Sequence, residues 1–275
     1  MMNFKSYLSE QASSQKFKGF EDIIPLIKRD CSQFLNEAKN YPLYRGIGKR
    51  VISNLGDFIF SPTPVNRKSL DSGPNLNFVL NAAIQYKFGI PNIRSNSFFA
   101  TGSDLVAEGY GAVLYVFPTD NYTCAWSPTI SDPFGKETEI ILDISDLFRE
   151  KYKGNSISYS SMNDLFDDLE KFIGSERWVD NTSGTDWSDA FSKQVEFNHF
   201  LQRLVTPDYS IEKIVSMISE CLKEYAKKAY NKGDIVSAIK SNNEILITGC
   251  DGYYAINSSQ VPASDQYGFL LDLLK

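Results

Sequence analysis

The chain of 275 residues contains one histidine, His199. A single imidazole argues against a His-rich metal site and against a Ser-His-Asp relay. Three further signatures are missing. No GxGxxG follows a β-branched run, and neither GxxxxGK(S/T) nor HExxH occurs. These absences disfavour a dinucleotide crevice of the Rossmann type, P-loop hydrolysis and zinc proteolysis. The four cysteines, Cys31, Cys124, Cys221 and Cys250, form no CxxC pair. Cys31 and Cys221 fall on apolar faces of expected helices, which reads as buried free thiols. No segment reaches the roughly 20 apolar residues that span a bilayer, and residues 1–20 lack an apolar signal core. The expectation is a cytoplasmic, reducing location with no membrane partner and no metal. The net charge of −6 argues against broad binding to a phosphate backbone, though it leaves room for a local basic groove.

Hydrophobic residues make up 42% of the chain and charged residues 23%, enough for one large domain or two small ones with a sizeable core. Aromatics at 13% suit sheets and pockets for planar groups. Apolar residues at Ile24, Ile27, Cys31, Phe34, Leu35 and Ala38 recur at helical spacing, predicting one helix over 22–38. Residues 41–47 form a short strand-like run carrying Arg45, with Gly46 directly after it. Residues 53–77 read as a long loop interrupted by Phe58-Ile59-Phe60, with Arg67 and Lys68 as its cations. A helix is predicted over 76–88, stopped by Gly89 and Pro91.

Alternation across 97–101 sets Ser97, Phe99 and Thr101 on one face, and Phe98 and Ala100 on the other. Ser103 is placed to cap a short helix over 104–110. A strand is expected over 113–117, then an irregular loop over 119–135 that includes Trp126. Another strand, 138–144, runs into a short helix over 146–152. Further helices are expected near 162–173, 187–204, 211–229 and 234–240. Finally, Glu244 opens the run Ile245-Leu246-Ile247, and Tyr253-Tyr254-Ala255-Ile256 follows across a tight Gly-containing connection. The order predicts an α+β fold in a single domain over 1–275, with a helical lead-in over 1–40 and a helical insertion over about 145–230.

Three pieces stand in fixed order: an arginine on an early strand, a hydroxyl-bearing middle strand, and a glutamate opening a late strand. They are Leu43-Tyr44-Arg45-Gly46, then Ser97-Phe98-Phe99-Ala100-Thr101-Gly102 with Ala107 and Tyr110 after it, then Asn242-Asn243-Glu244-Ile245-Leu246-Ile247. Taken singly, Arg45 also fits a surface arginine and Glu244 a strand-end charge. In this order they resemble the arginine–serine–glutamate class of mono-ADP-ribosyltransferases, often toxins or phage-encoded effectors. The resemblance implies a core of two small packed β-sheets with flanking helices, holding NAD+ as co-substrate in a cleft. It implies transfer of ADP-ribose to a macromolecular acceptor, protein or nucleic acid, inside a cell.

The chemistry explains the residue types. Breaking the nicotinamide–ribose bond passes through a cationic, oxocarbenium-like centre. A carboxylate beside it, bonded to the ribose 2′-OH, helps most as that charge appears. By the resemblance Glu244 holds this role. Arg45, flanked by Tyr44, suits the pyrophosphate or adjacent ribose, and Gly46 gives room for close approach. A hydroxyl from Ser97 or Thr101 orients the glutamate, with Ser97 preferred. Phe99 or Tyr110 packs on the nicotinamide, and Arg94 offers a further cation. The family carries Ser-Thr-Ser where Ala100-Thr101-Gly102 stands. Asn242, facing the acceptor, replaces the Glu of arginine-modifying members and the Gln of others, so the acceptor class stays open. Gln194-Val195-Glu196 is a lower-ranked alternative to the Glu244 motif. A non-catalytic binding or virion-associated protein of the same fold is the rival reading.

Overall fold

Runs of β-branched and aromatic residues supply the strands of the computed structural model, which describes residues 14–65, 67, 74–131, 136–151, 211–262 and 266–275. The strands are β1 (Gln15–Lys16), β2 (Tyr44–Ile47), β3 (Phe58–Pro62), β4 (Phe98–Ala100), β5 (Ala112–Pro118), β6 (Thr123–Trp126), β7 (Asn231–Lys232), β8 (Ile245–Thr248) and β9 (Gly252–Asn257). One sheet runs β1-β3-β9-β5-β2 and the other β4-β8-β6-β7, with every pairing antiparallel. The described helices are α1 (Phe20–Asp30), α2 (Ser32–Ala38), α3 (Lys49–Leu55), α4 (Pro74–Phe88), α5 (Asp104–Glu108), α6 (Glu137–Lys151), α7 (Ile211–Ala229), α8 (Ile235–Ser241) and α9 (Gln266–Leu273). The fold is mixed α+β with two antiparallel sheets and several helices.

The chain divides into two units. The first comprises Met1–Lys68, Ser95–Ser131 and Asn231–Lys275, and the second Ser69–Arg94 and Asp132–Tyr230. The first holds both sheets around a core that includes Phe98, Ile245 and Ile247 from one sheet and Leu114, Tyr253 and Ile256 from the other. The second contains the expected 145–230 segment and also takes in α4. There α7 packs on α4 and α6. Within this unit the Lys87 ammonium donates to the carbonyls of Ala226, Lys227 and Tyr230, a cation at a helix C-terminus. The helices expected near 162–173 and 187–204, His199, Gln194-Val195-Glu196, Lys68 and Tyr152 lie outside the described residues.

Several expectations change. Phe58-Ile59-Phe60 belongs to β3, an inner strand between β1 and β9, because both flanks find partners from distant sequence. Trp126 ends β6, an inner strand of the second sheet, and its indole N–H donates to the Gly233 carbonyl at 3.0 Å. The segment 138–144 is helical: Ile140, Ile144 and Phe148 are buried at four-residue spacing, which overrides the local β-branched preference. The single helix over 22–38 breaks at Cys31, where Asp120 takes the Ser32 hydroxyl at 2.6 Å and the Gln33 N–H at 2.7 Å. That cap comes from far along the chain. The two final strands do not pair: β8 joins one sheet and β9 the other.

Cys31 and Cys221 are buried and unlinked, as expected, and so are Cys124 and Cys250. Burial pushes the Cys124 thiol up to about 12, so it stays protonated at neutral pH. Among the described residues no helix is long and apolar enough to cross a membrane.

Candidate functional site

The three sequence pieces meet in the first unit through backbone pairing. Tyr44 and Thr101 exchange two hydrogen bonds, of 2.8 and 2.9 Å, in an antiparallel bridge beyond the end of β4. This bridge ties β2 of one sheet to the β4 segment of the other. β4 pairs with β8 in the register Phe98↔Ile247, Phe99↔Leu246 and Ala100↔Ile245. Thr101 directly follows the β4 side of this ladder, and Glu244 directly precedes the β8 side. The Thr101 hydroxyl donates to the Asn242 carbonyl at 3.1 Å and accepts the Ser103 N–H at 3.2 Å. Thr101 is therefore the joint between the arginine, hydroxyl and glutamate segments.

Ser97 directly precedes β4, at its other end, where the Thr248 hydroxyl donates to the Asn96 carbonyl. Four residues of extended chain separate it from Thr101, roughly 13 Å. Its hydroxyl is wholly buried, with no hydrogen-bond partner among the described residues. Of the two hydroxyls weighed for orienting the glutamate, Ser97 and Thr101, only Thr101 bonds to the segment that leads into Glu244, through the Asn242 carbonyl. Glu244 itself is half-buried, directly ahead of the fully buried strand β8.

Arg45 is held by aromatic packing. Its Nη1 donates to the Phe99 carbonyl at 3.3 Å, and its guanidinium carbon lies 5.3 Å from the Tyr253 ring centre and 6.0 Å from that of Phe98. Those two rings are in contact, 4.4 Å between centres. The Arg45 Nε is buried and finds no acceptor among the described residues. A desolvated, always-charged donor of this kind is costly unless something acidic engages it. Tyr253, which sequence reasoning had placed only in a strand, is thus part of the Arg45 setting. The aromatic content of the 253–256 run was the available signal.

The remaining candidates are distributed differently. The Phe99 ring is covered by the Arg67 guanidinium at 4.1 Å, while the Arg67 N–H donates to the Ser95 carbonyl at 2.9 Å. Since alternation sends Phe98 and Phe99 to opposite faces of β4, Arg45 and Arg67 attend different faces. The Tyr44 ring packs against Tyr115, centres 5.2 Å apart, which in turn stacks on Tyr267. That is a tyrosine ladder on its own packing surface, and burial, followed by the Asp104 charge, raises the Tyr44 phenol. The room at Gly46 is filled by the chain itself: a Cβ there would sit 1.9 Å from the Ala107 carbonyl oxygen. Tyr110 is half exposed just beyond α5.

Asn242 ends α8 in a left-handed conformation, φ 59° and ψ 13°, one that asparagine tolerates better than most residues. Its side chain is exposed, and the neighbouring Asn243 amide donates to the Ser127 carbonyl at 2.9 Å. Arg94 falls in the second unit, buried, with its N–H on Asn81 Oδ1 at 2.8 Å. Among the described residues no group of three or more His, Cys, Asp or Glu side chains is gathered as a metal would need.

Thr101→Val preserves shape but leaves the Asn242 carbonyl and the Ser103 N–H without their partner. The expected loss is about 1–3 kcal/mol in urea unfolding, with Thr101→Ser close to the parent. Equal stability of the valine and serine variants would remove Thr101 from the joint. No family model, curated protein or solved structure matches the chain.

Proposed function

We propose that this chain is an NAD+-dependent mono-ADP-ribosyltransferase, with an ADP-ribosyltransferase-like core formed by its two sheets. The observation that carries the reading is the Tyr44–Thr101 bridge together with the β4–β8 register. Between them they make neighbours of the three segments that carry Arg45, Thr101 and Glu244. In the reaction the C1′–N bond breaks, nicotinamide leaves with the bonding electrons, and the ribose carbon becomes cationic. Glu244 stabilises that cation and orients the 2′-OH. Arg45, with its buried unpaired Nε, attracts the anionic part of the co-substrate. The acceptor nucleophile then bonds to C1′ and gives up its proton. Water in its place yields free ADP-ribose.

The test uses the purified full-length chain, adenylate-labelled NAD+ and cell extract, following label transfer and nicotinamide release. Arg45→Ala is expected to lower kcat/KM by about 10²-fold, largely through KM, and Arg45→Lys to recover only part, since an ammonium lacks the planar fork. Activity unchanged by both Arg45→Ala and Glu244→Ala defeats the assignment. One observation favours a rival reading, a non-catalytic binding protein of the same fold: the Phe99 ring, a proposed nicotinamide platform, is already covered by Arg67. Calorimetry separates the two, because the rival predicts no heat of binding at millimolar NAD+.

A further inference from the structure

The short helix α5 presents a surface that packing within the first unit does not explain. Its inner side is fixed: Ser103 caps it through the Val106 N–H at 3.2 Å, and Ala107 is buried against Gly46. Its outer side carries Leu105, 75% exposed, beside the exposed carboxylates of Asp104 and Glu108, with Tyr110, 51% exposed, just past its end. Asp104 and Glu108 are four residues apart, and Leu105 and Glu108 three, so all three share one face. Like charges at that spacing oppose each other and weaken a helix, and no lysine or arginine lies within 104–110 to offset them. The face thus joins one exposed apolar side chain to two exposed carboxylates. The patch adjoins the candidate site on both sides. The helix begins three residues after Thr101, and it is pressed on Gly46, the residue after Arg45.

We infer that the α5 face, with Leu105 at its centre and Asp104 and Glu108 around it, docks the macromolecular acceptor, and that this acceptor is a basic polypeptide segment bearing an apolar side chain. This rests on the transferase reading and specifies its substrate class. Charge complementarity selects the occupant: two carboxylates on a chain of net charge −6 attract lysine and arginine and repel a phosphate backbone. The leucine supplies the apolar anchor of such an interface.

Three rates measured on the full-length chain test this: nicotinamide release from NAD+ without acceptor, label transfer to a mixed histone preparation as the basic polypeptide, and label transfer to tRNA. Leu105→Ser, and separately the pair Asp104→Asn with Glu108→Gln, are expected to leave acceptor-free nicotinamide release within about twofold of the parent. Histone labelling should fall about tenfold, the effect of losing an interface anchor. The acceptor-free rate also reports that each variant is folded. Histone labelling unchanged in both variants, or label in tRNA rather than histone, would each overturn the inference while leaving the transferase reading intact, whereas nicotinamide release with no macromolecule labelled would overturn the inference and reduce the activity to NAD+ hydrolysis. A parent chain that releases no nicotinamide removes the transferase reading itself, and the docking inference with it.

Discussion

Glu244→Gln is expected to lower both NAD+ hydrolysis and ADP-ribose transfer by about 10²–10³-fold, the scale seen when one preorganised electrostatic group is removed from a transition state. The substitution keeps the shape and removes only the charge. Because the oxocarbenium charge exists at the transition state and not in bound NAD+, the loss should appear in kcat, with KM little changed. Glu244 precedes the buried run Ile245–Thr248, so β8 and its pairing with β4 and β6 remain in place. A glutamine variant with parental kcat would mean that another group stabilises the cation, and the transferase assignment would lose its central residue. A variant that instead melts far below the parent would make Glu244 a structural residue.

The second large effect is on stability, at two glycines. A Cβ at Gly102 would lie 1.8 Å from the Ile239 carbonyl oxygen and 2.6 Å from its carbon, and one at Gly46 would lie 1.9 Å from the Ala107 carbonyl oxygen. All these atoms belong to backbone, so no side-chain rotation relieves the clash. Gly102→Ala must displace α8, and Gly46→Ala must displace α5. Each is expected to cost about 3 kcal/mol or more, at the upper end for overpacking. Gly109→Ala is the control, since its nearest neighbour, the Val106 carbonyl oxygen, stands 3.3 Å away. Urea midpoints of the three variants check the ranking. Gly102→Ala should also lose activity, because α8 ends at Asn242 and its displacement shifts the approach to Glu244. A Gly102→Ala midpoint equal to that of Gly109→Ala would show that the close approach of α8 is not needed.

The sequence by itself determined the local chemistry of this protein. Helical spacing predicted α4 and α7, and Ser103 was legible as the cap of α5, because spacing and capping involve residues within a turn or two of one another. The β-branched run after Glu244 was legible as a strand for the same reason. The fixed order of Arg45, the hydroxyl segment and Glu244 is a property of the sequence alone.

Pairing was decided only by the tertiary structure. The β4–β8 register, which sets Ala100 across from Ile245, is fixed by the pairing of segments far apart in the chain and not by the local pattern of either. That β8 and β9 enter different sheets, that Trp126 ends an inner strand, and that Asp120 caps a helix begun at Ser32 all depend on residues remote in sequence. The glycine after Arg45 is the clearest case. It reads in sequence as room for a ligand, and in the fold that room is taken by the Ala107 carbonyl, since backbone fills whatever space a missing side chain leaves.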